Sequence, residues 1–167
     1  MSKKVLIIAA ILVLAGGTSW YLWYFSDKQV IKRKFNDMAA SLSKEEGEET
    51  PLQIATKMLP VKNFLAPACE VMVPQRNYHR TLEPGLVIRY LIMYRSRLAS
   101  LEVSIDEISV ELPSPGQGEL SALVNVTANR NRPDFFDETH RLEFSLEKQE
   151  NEWQLVEAIV PGALVDR

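Results

Sequence analysis

Two histidines, two tyrosines four residues apart and one cysteine are the side chains here whose types suit proton transfer or nucleophilic attack. His140 lies on the apolar parity of an alternating run with Leu142 and Phe144, so it shares a hydrophobic face. A lone histidine at such a place serves as an acid–base group or as a hydrogen-bonded core or rim residue. Tyr90 and Tyr94 share one helix face, either as core packing with their hydroxyls at an edge or as polar contacts to a ligand. His79 falls in Gln75 to Leu82, a polar stretch read as a loop. Asp134, Asp137 and Glu138 adjoin His140 in sequence, and acids in a loop are ordinarily solvated. Cys69 reads as a small buried packing residue, and a single cysteine excludes an internal disulfide. Two histidines, one cysteine and scattered acids give no metal-ligand spacing. There is no Gly-rich phosphate loop, nucleophile elbow or helical His pair either. No metal and no cofactor is implied.

The elements that must position these residues follow from hydrophobic period. Asp27 to Ser43 carries Ile31, Phe35, Met38 and Leu42, a 4-3-4 spacing that predicts a helix. Lys44-Glu-Glu-Gly-Glu-Glu49 is the charged loop where it ends. Thr50 caps a second helix with Pro51 at its first position and Leu52, Ala55 and Leu59 as its apolar residues; Pro60 should break or kink it, with a continuation through Phe64. Ala68 to Val73 is a short strand. Glu83-Pro84-Gly85 opens a third helix with Leu86, Tyr90, Tyr94 and Leu98 on its apolar face. Arg89, Arg95 and Arg97 are interleaved there, snorkelling from the core or meeting an anion.

From Glu102 onward the period is two. Strands are predicted over Glu102 to Leu112, with a bulge at Asp106-Glu107, over Leu120 to Ala128, around His140 to Leu146, and over Trp153 to Val160. Helices first and strands last argue an α+β domain, with helices packed on one face of a curved antiparallel sheet.

Val5 to Phe25 is a run of 21 residues without a charge. As a helix it spans about 30 Å, the thickness of the hydrocarbon layer. Trp20, Tyr21, Trp23 and Tyr24 cluster at its end, the composition of a membrane interface. The expectation is an N-terminal transmembrane anchor over residues 1–26 with its short tail inside, and a folded domain over 27–167. A cleaved signal peptide ending near Ala15-Gly16-Gly17 is the alternative, and it would leave an aromatic cluster at the mature terminus. The basic residues that follow, Lys28, Lys32, Arg33 and Lys34, make a solvated helix face or lie near lipid phosphates. A net charge of −3 provides no basic field for nucleic acid.

The order helix, helix, short strand, helix, then long antiparallel strands over about residues 27 to 161 resembles the nuclear transport factor 2-like superfamily. The closing pair is Leu142-Glu-Phe-Ser-Leu146 and Asn151-Glu-Trp-Gln-Leu-Val156, with a Trp at the start of the last strand, as is usual in that cone-shaped fold. A single span ahead of such a domain is similar in layout to the bitopic assembly factors of type IV secretion systems. The resemblance implies a cone whose lining would include Tyr90, Tyr94 and His140, and pairing through the open sheet face, as a homodimer or with another chain.

Two functions fit these residues. The first is a non-catalytic interaction or assembly module of a bacterial inner-membrane complex, with a periplasmic domain and membrane-protein partners. The second is a cone that binds a small apolar ligand or transfers protons, as isomerases and dehydratases of the superfamily do.

Overall fold

The computed structural model describes residues 26–162. The anchor expected over Val5 to Phe25, with Trp20, Tyr21, Trp23 and Tyr24, lies outside them. Among the described residues, no helix is long and apolar enough to cross a membrane.

Helix α1 spans Asp27–Leu42 and buries Ile31, Phe35 and Ala39 at four-residue intervals. Its first residue is fastened to the far end of the chain. Trp153 Nε1 and Lys148 Nζ each donate to Asp27 Oδ1 at 2.9 Å, and Lys34 pairs with Glu152. Helix α2 spans Pro51–Phe64 behind a complete capping box, in which Gln53 N donates to Thr50 Oγ1 and Thr50 N to Gln53 Oε1. Two sequence expectations, a break at Pro60 and an apolar stripe of Leu52, Ala55 and Leu59, fail on α2. The helix runs through Pro60 to Phe64, because Val61 and Phe64, both buried, hold its last turn on the core and outweigh the lost backbone bond. Leu52, Ala55 and Leu59 face solvent; Met58, Val61 and Phe64 form the buried stripe.

Strand β1 spans Leu65–Val73, and a 3₁₀ turn at Pro74–Arg76 leads through Asn77, in the left-handed region at φ 52°, into β2 at Tyr78–Leu82. The stretch read as a loop around His79 is therefore an edge strand. It buries no face, so it shows no alternation to read. Helix α3 spans Pro84–Arg97. Strands β3 (Leu101–Ser114), β4 (Gln117–Ala128), β5 (Phe136–Gln149) and β6 (Glu152–Ile159) complete the sheet. A register shift between Ile105 and Glu107 marks the expected bulge.

The strand order is β2-β1-β6-β5-β4-β3. The sheet is mixed rather than antiparallel, because β1 runs parallel to β6 with Leu65 opposite Leu155 and Glu70 opposite Glu157. The long crossover through α3 and four strands lets β1 enter beside β6 in that sense. The three helices cover one face of this curved sheet. Ile31, Phe35, Val61, Phe64, Leu120, Leu146 and Trp153 fill the space between, and the Phe35 and Phe144 rings meet at 5.1 Å in a tilted pair.

Candidate functional site

Register in the sheet decides where the chemistry sits. Phe144, Leu142, His140 and Glu138 on β5 stand opposite Leu120, Ala122, Val124 and Val126 on β4. Directly opposed residues share a face, and these β4 partners belong to the helix-covered core or pack against it. His140 and Glu138 thus lie on the inner face, two residues apart. His140 Nε2 is 3.0 Å from Glu138 Oε2, with the two side chains 13% and 29% exposed. A carboxylate so placed fixes the imidazole's orientation, the geometry of an acid–base pair.

The acids near His140 do not act as one cluster. Asp137 points to the opposite face, where Asn125 and Thr127 donate to its carboxylate at 2.9 and 3.2 Å. Asp134 accepts from the buried Asn129, whose own Oδ1 takes the backbone N–H of Ala99 at 2.8 Å. Only Glu138 joins the histidine. Its even spacing from His140 within one strand was the signal available in the sequence.

The expected partners of His140 are placed differently. Tyr90 is 48% exposed on the outward side of α3, and Tyr94 is half-buried on that helix. His79 lies on β2 with Nε2 3.0 Å from Glu70 Oε2, and both side chains are exposed. Cys69 is buried in the core, where burial and then the charges of Glu157 and Glu70 push its thiol up to about 11. Among the described residues, no group of three or more His, Cys, Asp or Glu side chains is placed to hold a metal ion.

The larger hollows lie away from this pair. One of about 770 Å³ is bordered by Lys62, Glu83, Gly85 and Gln154 between the end of α2 and the start of α3. Another, of about 560 Å³, is bordered by Ser43, Lys44, Glu102 and Arg130. Tyr90, Tyr94 and His140 line neither of them. The space under the helices is occupied by the protein's own aromatic and aliphatic side chains.

Helix α3 supplies the feature that sequence reasoning missed. Of its residues only Arg95 is buried. Its Nε donates to Leu42 O and its Nη2 to Ser43 O, each at 2.9 Å, and it pairs with Glu49 at 3.0 Å. Glu49 also takes Lys57 at 2.8 Å. In return Lys44 Nζ donates to Leu98 O just beyond the end of α3. Arg95 therefore neither snorkels nor awaits an anion; it caps the end of α1. Because α3 spends its one buried position on this arginine, its apolar residues are only partly covered.

No family model matches the chain, and no curated protein matches it. Solved structures do. A candidate scytalone dehydratase from Novosphingobium aromaticivorans superposes with a TM-score of 0.61 at 12% identity, over 78% of this chain and 80% of that one. A candidate dehydratase of the nuclear transport factor 2-like family from Streptomyces avermitilis gives 0.59 at 8% identity, over 80% and 94%. A candidate calcium/calmodulin-dependent protein kinase II association domain from Xanthomonas campestris gives 0.56 at 15%, over 82% and 94%. Identities this low establish shape and not activity. Residues 26–162 have the nuclear transport factor 2-like fold.

Proposed function

We propose that this chain is a single-span, membrane-anchored interaction or assembly module of an inner-membrane protein complex, with its folded domain on the periplasmic side. The observation that carries the reading is the outward surface of α2 and α3. Leu52, Leu59, Tyr90 and Met93 are 77%, 52%, 48% and 47% exposed there, on the two helices that follow α1. Large apolar and aromatic residues left exposed on helices favour a partner over water. The chargeless run from Val5 to Phe25 supports a tether, and the filled space under the helices favours binding over catalysis.

Two measurements test this. Carbonate-washed membranes should retain the full-length chain with its original N-terminus; a soluble, shortened chain would remove the tether. Mild detergent extraction should then bring other inner-membrane chains with it. Purification as a lone monomer would overturn the assembly role.

A second reading is favoured by one observation, the Glu138–His140 pair on the inner face. In that reading the cone takes a small apolar ligand and His140 moves a proton. Histidine ring NMR signals followed during addition of small apolar ketones and phenols would test it. A shifted His140 signal that is lost in His140→Asn supports ligand binding, and unmoved signals refute it.

A further inference from the structure

The hollow of about 770 Å³ between the end of α2 and the start of α3 is bordered by polar groups that the domain leaves unanswered. Lys62 and Glu83 are both exposed on its rim. Among the described residues neither side chain forms an ion pair or a hydrogen bond, with the other or elsewhere, and Glu83 stands at the N-cap of α3 without capping it. Glu152, on the same rim, is already taken by Lys34. Gln154 borders the hollow as well, and its Oε1 is buried with no donor to it among the described residues. A buried acceptor without a donor costs free energy that a bound donor restores. The rim thus presents one free cation, one free carboxylate and one buried oxygen in want of a donor.

The place of this hollow in the chain gives its ligand a source. Trp153 lies between Glu152 and Gln154 and holds Asp27 through its indole N–H. Asp27 is two residues beyond Phe25, where the chargeless run ends. From Asp27 to Lys34, which holds Glu152, α1 rises only about 10 Å. The hollow is therefore at the end of the domain from which the anchor expected over Val5 to Phe25 would depart, close to the headgroups of its bilayer.

We infer that this hollow receives the headgroup of a phosphatidylethanolamine from the bilayer that holds the anchor. The inference rests on the tethered reading and names a lipid for it. The phosphodiester pairs with Lys62, and the ammonium gives its N–H donors to Glu83 and to Gln154 Oε1. The two charges of the headgroup answer the two free charges of the rim, which a ligand of one sign cannot do. A choline headgroup has the same charges but no N–H, so it leaves the Gln154 oxygen without a donor. A glycerol headgroup has hydroxyl donors but no cation, so it sets the phosphate near Glu83 with nothing between them to neutralise the carboxylate. A site whose buried polar group needs a donor discriminates against ligands that lack one.

The test uses the full-length chain in a mild non-ionic detergent with one lipid added at a time, and retained lipid is counted by native mass spectrometry. The wild type should retain one phosphatidylethanolamine about tenfold more tightly than phosphatidylcholine or phosphatidylglycerol, the discrimination given by one charge-assisted hydrogen bond. Lys62→Ala, Glu83→Gln and Gln154→Leu should each abolish that preference and leave unselective retention around the anchor unchanged. Lys62 and Glu83 are exposed, so their variants keep the fold and carry the test alone if Gln154→Leu does not fold. Equal retention of the ethanolamine and choline lipids overturns the inference, as does a preference that survives Lys62→Ala and Glu83→Gln. Soluble glycerophosphoethanolamine should not be retained, because it lacks the acyl chains that hold the headgroup beside the hollow. Retention equal to that of the lipid would assign the site to a free phosphoethanolamine compound and overturn the lipid as its source. The outcome is separable from the tether reading: a cleaved chain fails the carbonate wash, whereas a tethered chain that ignores headgroups passes it and shows no preference among lipids.

Discussion

Arg95 of α3 and Glu49 of the loop before α2 form an ion pair at 3.0 Å, with the arginine side chain 4% exposed. The same guanidinium closes the C-terminal carbonyls of α1 at Leu42 and Ser43. A planar fork of donors suits this role because it reaches a carboxylate and two carbonyls at once.

Arg95→Ala should therefore destabilise the domain by about 3 kcal/mol, the order found when one partner of a buried pair is removed. Arg95→Lys should recover only part of this, since an ammonium cannot reproduce the fork. Urea denaturation followed by circular dichroism measures both. A loss below about 1 kcal/mol for Arg95→Ala would place the pair among surface bridges.

Three carboxylates make stability depend on acid. Hydrogen bonds from Lys148 and then Trp153 hold Asp27 below its usual value against a smaller effect of burial. Burial pushes Glu49 up, but the Lys57 hydrogen bond and the charges of Arg95 and Lys57 prevail and hold it low. Lys34 lowers Glu152. For each group the folded pKa is below the unfolded one, so the unfolded chain binds more protons between the two values. Their contribution is full above about pH 5 and is lost as pH falls through the folded pKa values. Urea midpoints should fall steeply below about pH 4.5. Asp27→Asn and Glu49→Gln should each flatten that slope while lowering the midpoint at neutral pH.

Phe35 is buried at 1% exposure, and its ring meets that of Phe144. Phe35→Ala should cost about 3–5 kcal/mol by leaving a cavity between α1 and the sheet. A midpoint unchanged within error would mean that α1 is not packed as described.

Cys69 should be inert while the domain is folded. With its thiol raised to about 11 and only 1% exposed, it should react with Ellman's reagent at about pH 8 no faster than the domain unfolds. Addition of urea should release one thiol per chain. Rapid labelling of the native domain would contradict its place in the core.

What the sequence made legible was whatever carried a strong period. Ile31, Phe35, Met38 and Leu42 announced α1; Leu120, Ala122, Val124 and Ala128 announced β4; the Asp106-Glu107 bulge interrupted an otherwise clean alternation. Thr50 and Pro51 marked the start of α2 because capping chemistry is local. The misses share a cause. On α2 two apolar stripes compete, and only the tertiary packing of Val61 and Phe64 decides that Leu52 and Leu59 lose. On β2 there is no buried face to encode. The direction of β1 depends on its neighbour β6, about ninety residues away, which no local window contains. At the candidate site the face of His140 was readable by parity. That of Glu138 was hidden because the residue was assigned to the preceding loop, and the outward turn of Tyr90 followed from the way α3 buries Arg95.

The parallel neighbour of β1 also orders events during synthesis. The β1–β2 hairpin leaves the ribosome early, and the β1 edge that β6 fills stays unpaired until β6 has been made. Closure of the sheet is thus a late, long-range event, with a large loop entropy to overcome before its contacts form. Until then the nascent N-terminal half presents a bare hairpin margin, the kind of template that chaperones shield.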